Sequence, residues 1–343
     1  MQKILPKKEL GAFLKNLIEK YEVIAPVIEK VGDFKISKFK VIKKPGEVYL
    51  KENTLVPPKQ FFLPEKEALF GFNGNKIESA NLGKKKRIIL GIRKCDINSL
   101  MVLDKVLYDS LYANRRNNTI LIGFWCKKPD KYCFCNSMEL KDLEKPGFSN
   151  FPKQKTQSFG NYYDLFFYEE GDNYYISIGS KKGEELVKDL KNSKKQVIKK
   201  LENKKELLKN DIENHYRNAV WDTCVEKCLG CAACTIYCPT CNCFNIEDKI
   251  NIDLKSGKRI REQTSCQLKS FTEVAGGKVF RETRASRFKH FVYHKIVLYK
   301  KKFGRYMCTG CGRCLRVCPT RIDWVEAINL MRDFEKIKEK GKK

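Results

Sequence analysis

The sequence contains no run of about eighteen apolar residues, the length that a membrane-spanning helix requires. Its N-terminal stretch, MQKILPKKELGAFLKNL, has neither an uninterrupted apolar segment nor a small-residue cleavage site, so no secretory signal is predicted. The three histidines are too scattered for a zinc or non-haem iron centre, although His290 and His294 fall on one predicted helix face. No GxGxxG follows a predicted strand, and there is no Walker A loop. These absences predict a cytoplasmic chain without a nucleotide fingerprint of its own.

Acidic residues are few, because 41 Asp and Glu stand against 69 Lys and Arg and give a formal charge of +28. Such a charge is typical of nucleic-acid-binding proteins. However, aromatic residues do not interleave with the basic ones as they do in a base-stacking surface, and no helix-turn-helix or RNA-binding signature is found. Nucleic-acid binding is therefore disfavoured. The basic surface instead suits an acidic partner or docking face.

Cysteine is abundant, with sixteen in the chain. In a reducing compartment such a number indicates metal or redox chemistry rather than disulfides. Eight of the cysteines form two copies of the pattern C-x2-C-x2-C-x3-C-P, in CLGCAACTIYCP (residues 228–239) and CTGCGRCLRVCP (residues 308–319). Zinc ribbons use two-plus-two spacing, so this pattern favours [4Fe–4S] clusters over zinc.

The spacing also predicts which cysteines share a cluster. Three cysteines at intervals of three on a tight loop face one cluster, while the fourth, before a proline, reaches the other cluster of the pair. Cluster one is therefore assigned to Cys228, Cys231, Cys234 and Cys318. Cluster two is assigned to Cys308, Cys311, Cys314 and Cys238.

Four further cysteines lie in the N-terminal half, around a predicted strand–helix–strand unit. KRIILGI reads as a buried strand, RKCDINSLMVLDKVLYD as a helix capped by Asp96, and NTILIGFWC (residues 118–126) as a second strand. The carboxyl ends of parallel strands meet at one edge of a sheet. Cys95, Cys126, Cys133 and Cys135 are therefore predicted at one edge, either as ligands of a third cluster or as buried, inert thiols.

The last four cysteines have no motif of their own. They are Cys224, Cys241, Cys243 and Cys266. Two interpretations stay open for them, a fourth cluster or simple packing around the other clusters.

The predicted organisation has three parts. An α/β domain with a mixed sheet and a βαβ unit covers residues 1–185, a Lys/Glu-rich helical connector covers residues 186–220, and an α-helical, two-cluster ferredoxin-like domain covers residues 221–343. Within the first part, an amphipathic helix is predicted over residues 7–21 and a hairpin over residues 164–179.

With these motifs in place, the chain resembles a family that includes the beta subunit of sulfhydrogenase and the A-type subunit of anaerobic sulfite reductase. The resemblance spans roughly residues 85–325. In the N-terminal half it rests on Gly91, Arg93, Cys95, Asp96, Asp104, Tyr112, Arg115, Arg116, Cys126, Cys133 and Cys135. In the C-terminal half it rests on Cys228–Phe244, Cys266, Ala275-Gly276-Gly277, His294-Lys295 and Cys308–Pro319.

The resemblance implies an electron-transfer subunit with no catalytic residue of its own. It would connect a flavin-containing, NAD(P)H-oxidising subunit to a catalytic subunit, which is either a [NiFe] hydrogenase or a sulfite reductase. The resemblance also supports a third cluster on the four N-terminal cysteines.

An alternative hypothesis is an oxidoreductase with its own small-molecule or flavin site beside Cys95. Arg93, Arg115 and Arg116 would then bind an anionic group. The competing expectation is that these arginines form surface ion pairs with Asp104 or Asp109.

Overall fold

The computed structural model describes residues 2–80, 83, 86–140, 162–208 and 212–331. Within them, the strands are β1 (Gln2–Pro6), β2 (Glu22–Val31), β3 (Phe34–Val41), β4 (Lys66–Asn73), β5 (Lys76–Ser79), β6 (Arg87–Ile92), β7 (Thr119–Phe124), β8 (Leu165–Glu170), β9 (Asn173–Ile178), β10 (Phe244–Ile250) and β11 (Ser256–Gln263). The α-helices are α1 (Leu10–Lys20), α2 (Lys94–Leu103), α3 (Ser110–Asn117), α4 (Lys181–Leu186), α5 (Val220–Glu226), α6 (Ala233–Ile236), α7 (Arg284–Tyr293), α8 (Tyr299–Phe303) and α9 (Arg313–Arg316). A π-helical turn, His294–Leu298, joins α7 to α8.

The larger sheet has seven strands in the order β1-β9-β8-β7-β6-β2-β3, and its β2, β6, β7 and β8 run parallel. The central strands β6 and β7 are apolar almost throughout and are packed on both faces, as is typical of parallel strands. Helices α2 and α3 connect them, so the predicted mixed sheet and βαβ unit are confirmed. The hairpin and the N-terminal helix are also found, as β8–β9 and α1.

The predicted cap of α2 is wrong. The helix begins at Lys94 rather than after Asp96, and Asp96 lies in its first turn, where its carboxylate accepts a hydrogen bond from the backbone N–H of Arg93 at 3.4 Å. The same carboxylate is held by the guanidinium of Arg313 at 2.6 Å, a contact over 217 residues that no local pattern indicates.

The smaller sheet has four strands in the order β10-β11-β4-β5, and β11 is antiparallel to β4. The C-terminal part is therefore not purely α-helical as predicted, because the alternating apolar residues of β10 favour a strand. The sheet joins residues 66–79 to residues 244–263, so the predicted boundary near residue 220 does not separate two independent units.

The predicted helical connector is wrong over residues 188–208, which form no helix. Their polar groups bond to distant segments instead: the Gln2 side chain binds both the N–H and the carbonyl of Val197, and the Asn203 side chain accepts from the N–H of Asn136. Val197 and Leu207, which lie in this segment, are buried. Residues 209–211 of the connector, and residues 332–343 of the predicted C-terminal domain, lie outside the described residues. No helix in the described ranges is long and apolar enough to cross a membrane.

Candidate iron–sulfur sites

The first motif forms a loop at the protein surface. Its first three cysteines and Cys318 from the second motif line one cavity, together with Phe288 and Trp324. Cys231 is exposed, and the neighbouring Leu229 is 63% exposed. The four residues assigned to cluster one thus surround one space, with one side open to solvent.

The second motif forms a loop that is enclosed by protein. Burial raises the pKa of Cys308 to about 12, and the nearby thiols of Cys311 and Cys238 contribute to this shift. The Nε1 atom of Trp324 donates to Cys314 Sγ at 3.4 Å, and the backbone N–H of Gly310 donates to Cys308 Sγ at 3.4 Å. Such donors to sulfur are typical of iron–sulfur sites, where they tune the potential.

The N-terminal cysteines lie against this second loop. The thiol of Cys133 donates to the carbonyl of Cys311 at 3.5 Å, and the backbone N–H of Phe134 donates to the carbonyl of Gly310 at 2.8 Å. Burial raises the pKa of Cys133, and the thiols of Cys311, Cys126 and Cys135 raise it further. Burial also raises the pKa of the Cys95 thiol, and the thiols of Cys311 and Cys135 raise it further. The structure therefore brings the four N-terminal cysteines together at one edge of the larger sheet.

The last four cysteines divide into a group of three and a single residue. The thiols of Cys243 and Cys266 are hydrogen-bonded, which lowers the pKa of Cys243 to about 6, and Cys241 is hydrogen-bonded to Cys238. Cys224 instead lies near Asp323 and Glu326, which raise its pKa to about 11 in addition to the main effect of burial. The charged neighbours of Cys224 thus differ from those of the other three. Among the described residues, no three Cys, His, Asp or Glu side chains converge on a point where a single metal ion would bind.

Comparison with known proteins agrees with this geometry. Residues 227–322, which contain both motifs, match the family described as a 4Fe-4S dicluster domain. Sulfhydrogenase 2 subunit beta of Pyrococcus furiosus is 34% identical over 302 residues, covering 82% of this chain and 84% of that protein. The chain belongs to the sulfhydrogenase beta-subunit family. No solved structure matches it.

The residues at both motifs fit the clusters that this family implies. Each group offers four thiolates, the soft ligands that iron–sulfur clusters require. Glycine or alanine in the left-handed conformation, such as Gly230 (φ 67°), Ala232 (φ 64°) and Gly312 (φ 74°), lets the backbone turn tightly around each group. A [4Fe–4S] dicluster domain is therefore present in this member of the family, whereas the assignment of individual ligands stays a prediction.

The arginines proposed for an anionic ligand are already engaged. Arg93 donates to the carbonyls of Leu50 and Trp125, Arg115 pairs with Glu67, and Arg116 pairs with Asp104 at 3.3 Å. Arg116 thus has one of its two expected partners, but the pair is buried rather than at the surface. Asp109, the other expected partner, pairs instead with Arg261 at 2.7 Å.

The sequence alone indicated no role for three buried cations. Arg313 forms a buried ion pair with Asp96, and Lys59 and Lys295 lie beside the thiols of the C-terminal half. Two signals were present: Lys295 lies in the His294-Lys295 match to the family, and Arg313 stands where the first motif has Ala233, inside a loop that otherwise favours small residues. His290 and His294 lie on one face as expected, because their rings stack with centroids 5.5 Å apart. Burial lowers the pKa of both to about 4, as expected for structural residues.

Proposed function

We propose that the chain is an iron–sulfur electron-transfer subunit of an oxidoreductase complex. It would accept electrons from a flavin-containing, NAD(P)H-oxidising subunit and deliver them to the catalytic subunit of either a [NiFe] hydrogenase or an anaerobic sulfite reductase. Clusters held by the thiolates would accept and release single electrons. The polypeptide supplies the ligands, the shell that excludes water and the surfaces that meet the partners.

One observation carries this proposal: each of the three cysteine groups lies next to another one in space. Cys314 of the second group also lines the cavity of the first, and the carbonyl of Cys311 accepts from Cys133 of the N-terminal group. A relay requires adjacent redox centres, and this succession supports the proposal of three. It runs from the exposed loop at Cys231 to the edge of the larger sheet.

The assignment of ligands follows the same succession. Cluster one belongs to Cys228, Cys231, Cys234 and Cys318; cluster two to Cys308, Cys311, Cys314 and Cys238; and a third cluster to Cys95, Cys126, Cys133 and Cys135. On the side of cluster one, a partner would dock at the exposed loop around Leu229 and Cys231.

The decisive experiment is the iron and acid-labile sulfide content of the chain purified without oxygen. About twelve of each per chain are expected, four for each cluster. The double variant Cys133→Ser/Cys135→Ser should lose about four, since soft thiolate ligands are removed from one site only. Cys224→Ser, which removes a thiol outside the three groups, is the matched control and should lose none.

Three outcomes discriminate between the hypotheses. About eight irons in the wild type would remove the third cluster and leave the relay with two centres. Zinc in place of iron would overturn the electron-transfer function altogether. A loss of iron in Cys224→Ser equal to that in the double variant would contradict the ligand assignment.

The alternative, a small-molecule or flavin site, retains one supporting observation. A cavity of about 540 Å³ lies beside the carboxyl ends of β6 and β7, lined by Trp125, Lys127 and Tyr174 among others. Its volume is within the range of ligand pockets. Titration of the purified chain with FMN, followed by flavin fluorescence, tests it directly. Micromolar binding that is lost in Trp125→Ala would favour this alternative.

A further inference from the structure

Two buried lysines stand beside the cysteines of the C-terminal half. Lys295, in the π-helical turn after α7, is 3% exposed, and Lys59, from the loop before β4, is 5% exposed. The ammonium of Lys295 donates to Cys238 Sγ at 3.2 Å and to Thr240 Oγ1 at 3.1 Å. The ammonium of Lys59 donates to the carbonyl oxygen of Cys241 at 2.8 Å.

Burial of these ammonium groups requires a negative charge nearby. An unpaired buried ion costs several kcal/mol, because it loses its hydration without gaining a partner. Among the ion pairs of the described ranges, none joins Lys295 or Lys59 to a carboxylate, and the groups that act on Lys295 most strongly are the thiols of Cys238, Cys241 and Cys308. The counter-charge of Lys295 is therefore the thiolate of Cys238, a ligand assigned to cluster two, whose Sγ accepts from the ammonium at 3.2 Å.

The fourth cysteine of each motif offers an internal comparison. Both are followed by Pro-Thr, and in both the threonine hydroxyl approaches the sulfur, at 3.2 Å for Cys238 and 3.5 Å for Cys318. The sulfur of Cys318 receives one further neutral donor, the backbone N–H of Ile322 at 3.3 Å. The sulfur of Cys238 is hydrogen-bonded to the thiol of Cys241 and also receives the charged ammonium of Lys295.

We propose that Lys295 sets the order of reduction in the relay, because its charge raises the reduction potential of the cluster on Cys238, Cys308, Cys311 and Cys314 above that of the cluster on Cys318. This inference rests on the proposed function. Reduction adds one electron and one negative charge to the cluster, and no proton needs to move. A fixed ammonium 3.2 Å from a ligand sulfur stabilises the more negative, reduced form.

The test is a potentiometric titration of the full chain, followed by electron paramagnetic resonance. Cluster two is identified by the signal that is lost in Cys308→Ser. In Lys295→Met, the ratio of reduced to oxidised cluster two at a fixed potential should fall at least tenfold, equivalent to about 59 mV for a one-electron couple. The signals of the other clusters should keep their midpoints.

Three further variants separate charge from packing. Lys295→Arg keeps the charge and should restore most of the wild-type midpoint, while Lys295→Gln keeps a donor without the charge and should behave like Lys295→Met. Lys295→Gln also replaces Lys295→Met if the latter does not fold. Lys300→Met, which removes a partly exposed lysine paired with Glu139, is the matched control and should leave every midpoint unchanged.

The outcomes distinguish this inference from the proposed function. A wild type without iron would overturn both. Clusters that are present but keep their midpoints in Lys295→Met and Lys295→Gln would overturn the role of Lys295 alone. Equal shifts in all clusters would also overturn it, because they would indicate a general change in packing.

Discussion

The two cysteine motifs have identical spacing but different surroundings. The first loop is open, since Cys231 and Leu229 face solvent and a side chain placed on Gly230 would meet only the carbonyl of Gln267, at 4.0 Å. The second loop is enclosed, and a side chain on Gly310 would stand 2.6 Å from the backbone of Cys135. The spacing of the cysteines therefore predicts the ligand set, whereas the segments packed around each loop determine how accessible that loop is.

The same difference explains the residues between the cysteines. In each motif the residue two before the third cysteine adopts a left-handed conformation, Ala232 in the first and Gly312 in the second. The next residue is Ala233 in the first motif and Arg313 in the second, where its guanidinium binds Asp96, Asn53 and Thr54. The buried ion pair of Arg313 with Asp96 thus joins the second motif to the N-terminal half, and Ala233 in the first motif can form no such pair.

The largest effect on stability is expected from removing the ion pair of Arg313 with Asp96. Arg313→Ala gives the second loop the residue of the first and leaves the carboxylate of Asp96 buried without its cation. Loss of one partner from a buried ion pair lowers the free energy of unfolding by about 3–5 kcal/mol. Denaturant unfolding monitored by tryptophan fluorescence measures the change.

The control for Arg313→Ala lies three residues further along. Arg316 is partly exposed and reaches Asp130 only at 4.0 Å, so Arg316→Ala should change the free energy of unfolding by about 1 kcal/mol or less. Equal losses in the two variants would mean that the ion pair with Asp96 does not hold the second motif.

A smaller effect is expected from exchanging the left-handed residues. In Gly312→Ala the new methyl group would stand 2.6 Å from the carbonyl of Tyr132, and a non-glycine residue would be placed at φ 74°. Overpacking of this kind costs about 1–3 kcal/mol beyond the cost of the conformation itself. The melting temperature and the iron content should both fall.

The reciprocal change, Ala232→Gly, should be neutral or stabilising. It removes the strain of alanine at φ 64° and introduces no contact. If both exchanges lowered the melting temperature equally, residues 132–135 would not be the reason for glycine in the second motif.

The comparison of the two motifs also indicates how far the sequence determines the site. The repeated spacing was sufficient to predict the dicluster domain, and the apolar runs of β6 and β7 were sufficient to predict the parallel core. The connector was wrong because its Lys/Glu pattern is helical locally, whereas Gln2 and Asn136 hold it extended from far away in the chain. The contacts of Arg313 and Lys295 were not predicted for the same reason, since their partners are 217 and 57 residues distant.

The two loops should also differ in how readily a small molecule reaches them, and this difference requires no change in the free energy of unfolding. Because Cys231 is exposed while residues 132–135 cover the second loop, an iron chelator should remove the cluster of the first motif before that of the second. The order of loss can be followed by electron paramagnetic resonance, with Cys231→Ser identifying the first signal to disappear. Simultaneous loss of both signals at one rate would mean that release is limited by opening of the whole protein rather than by exposure of one loop.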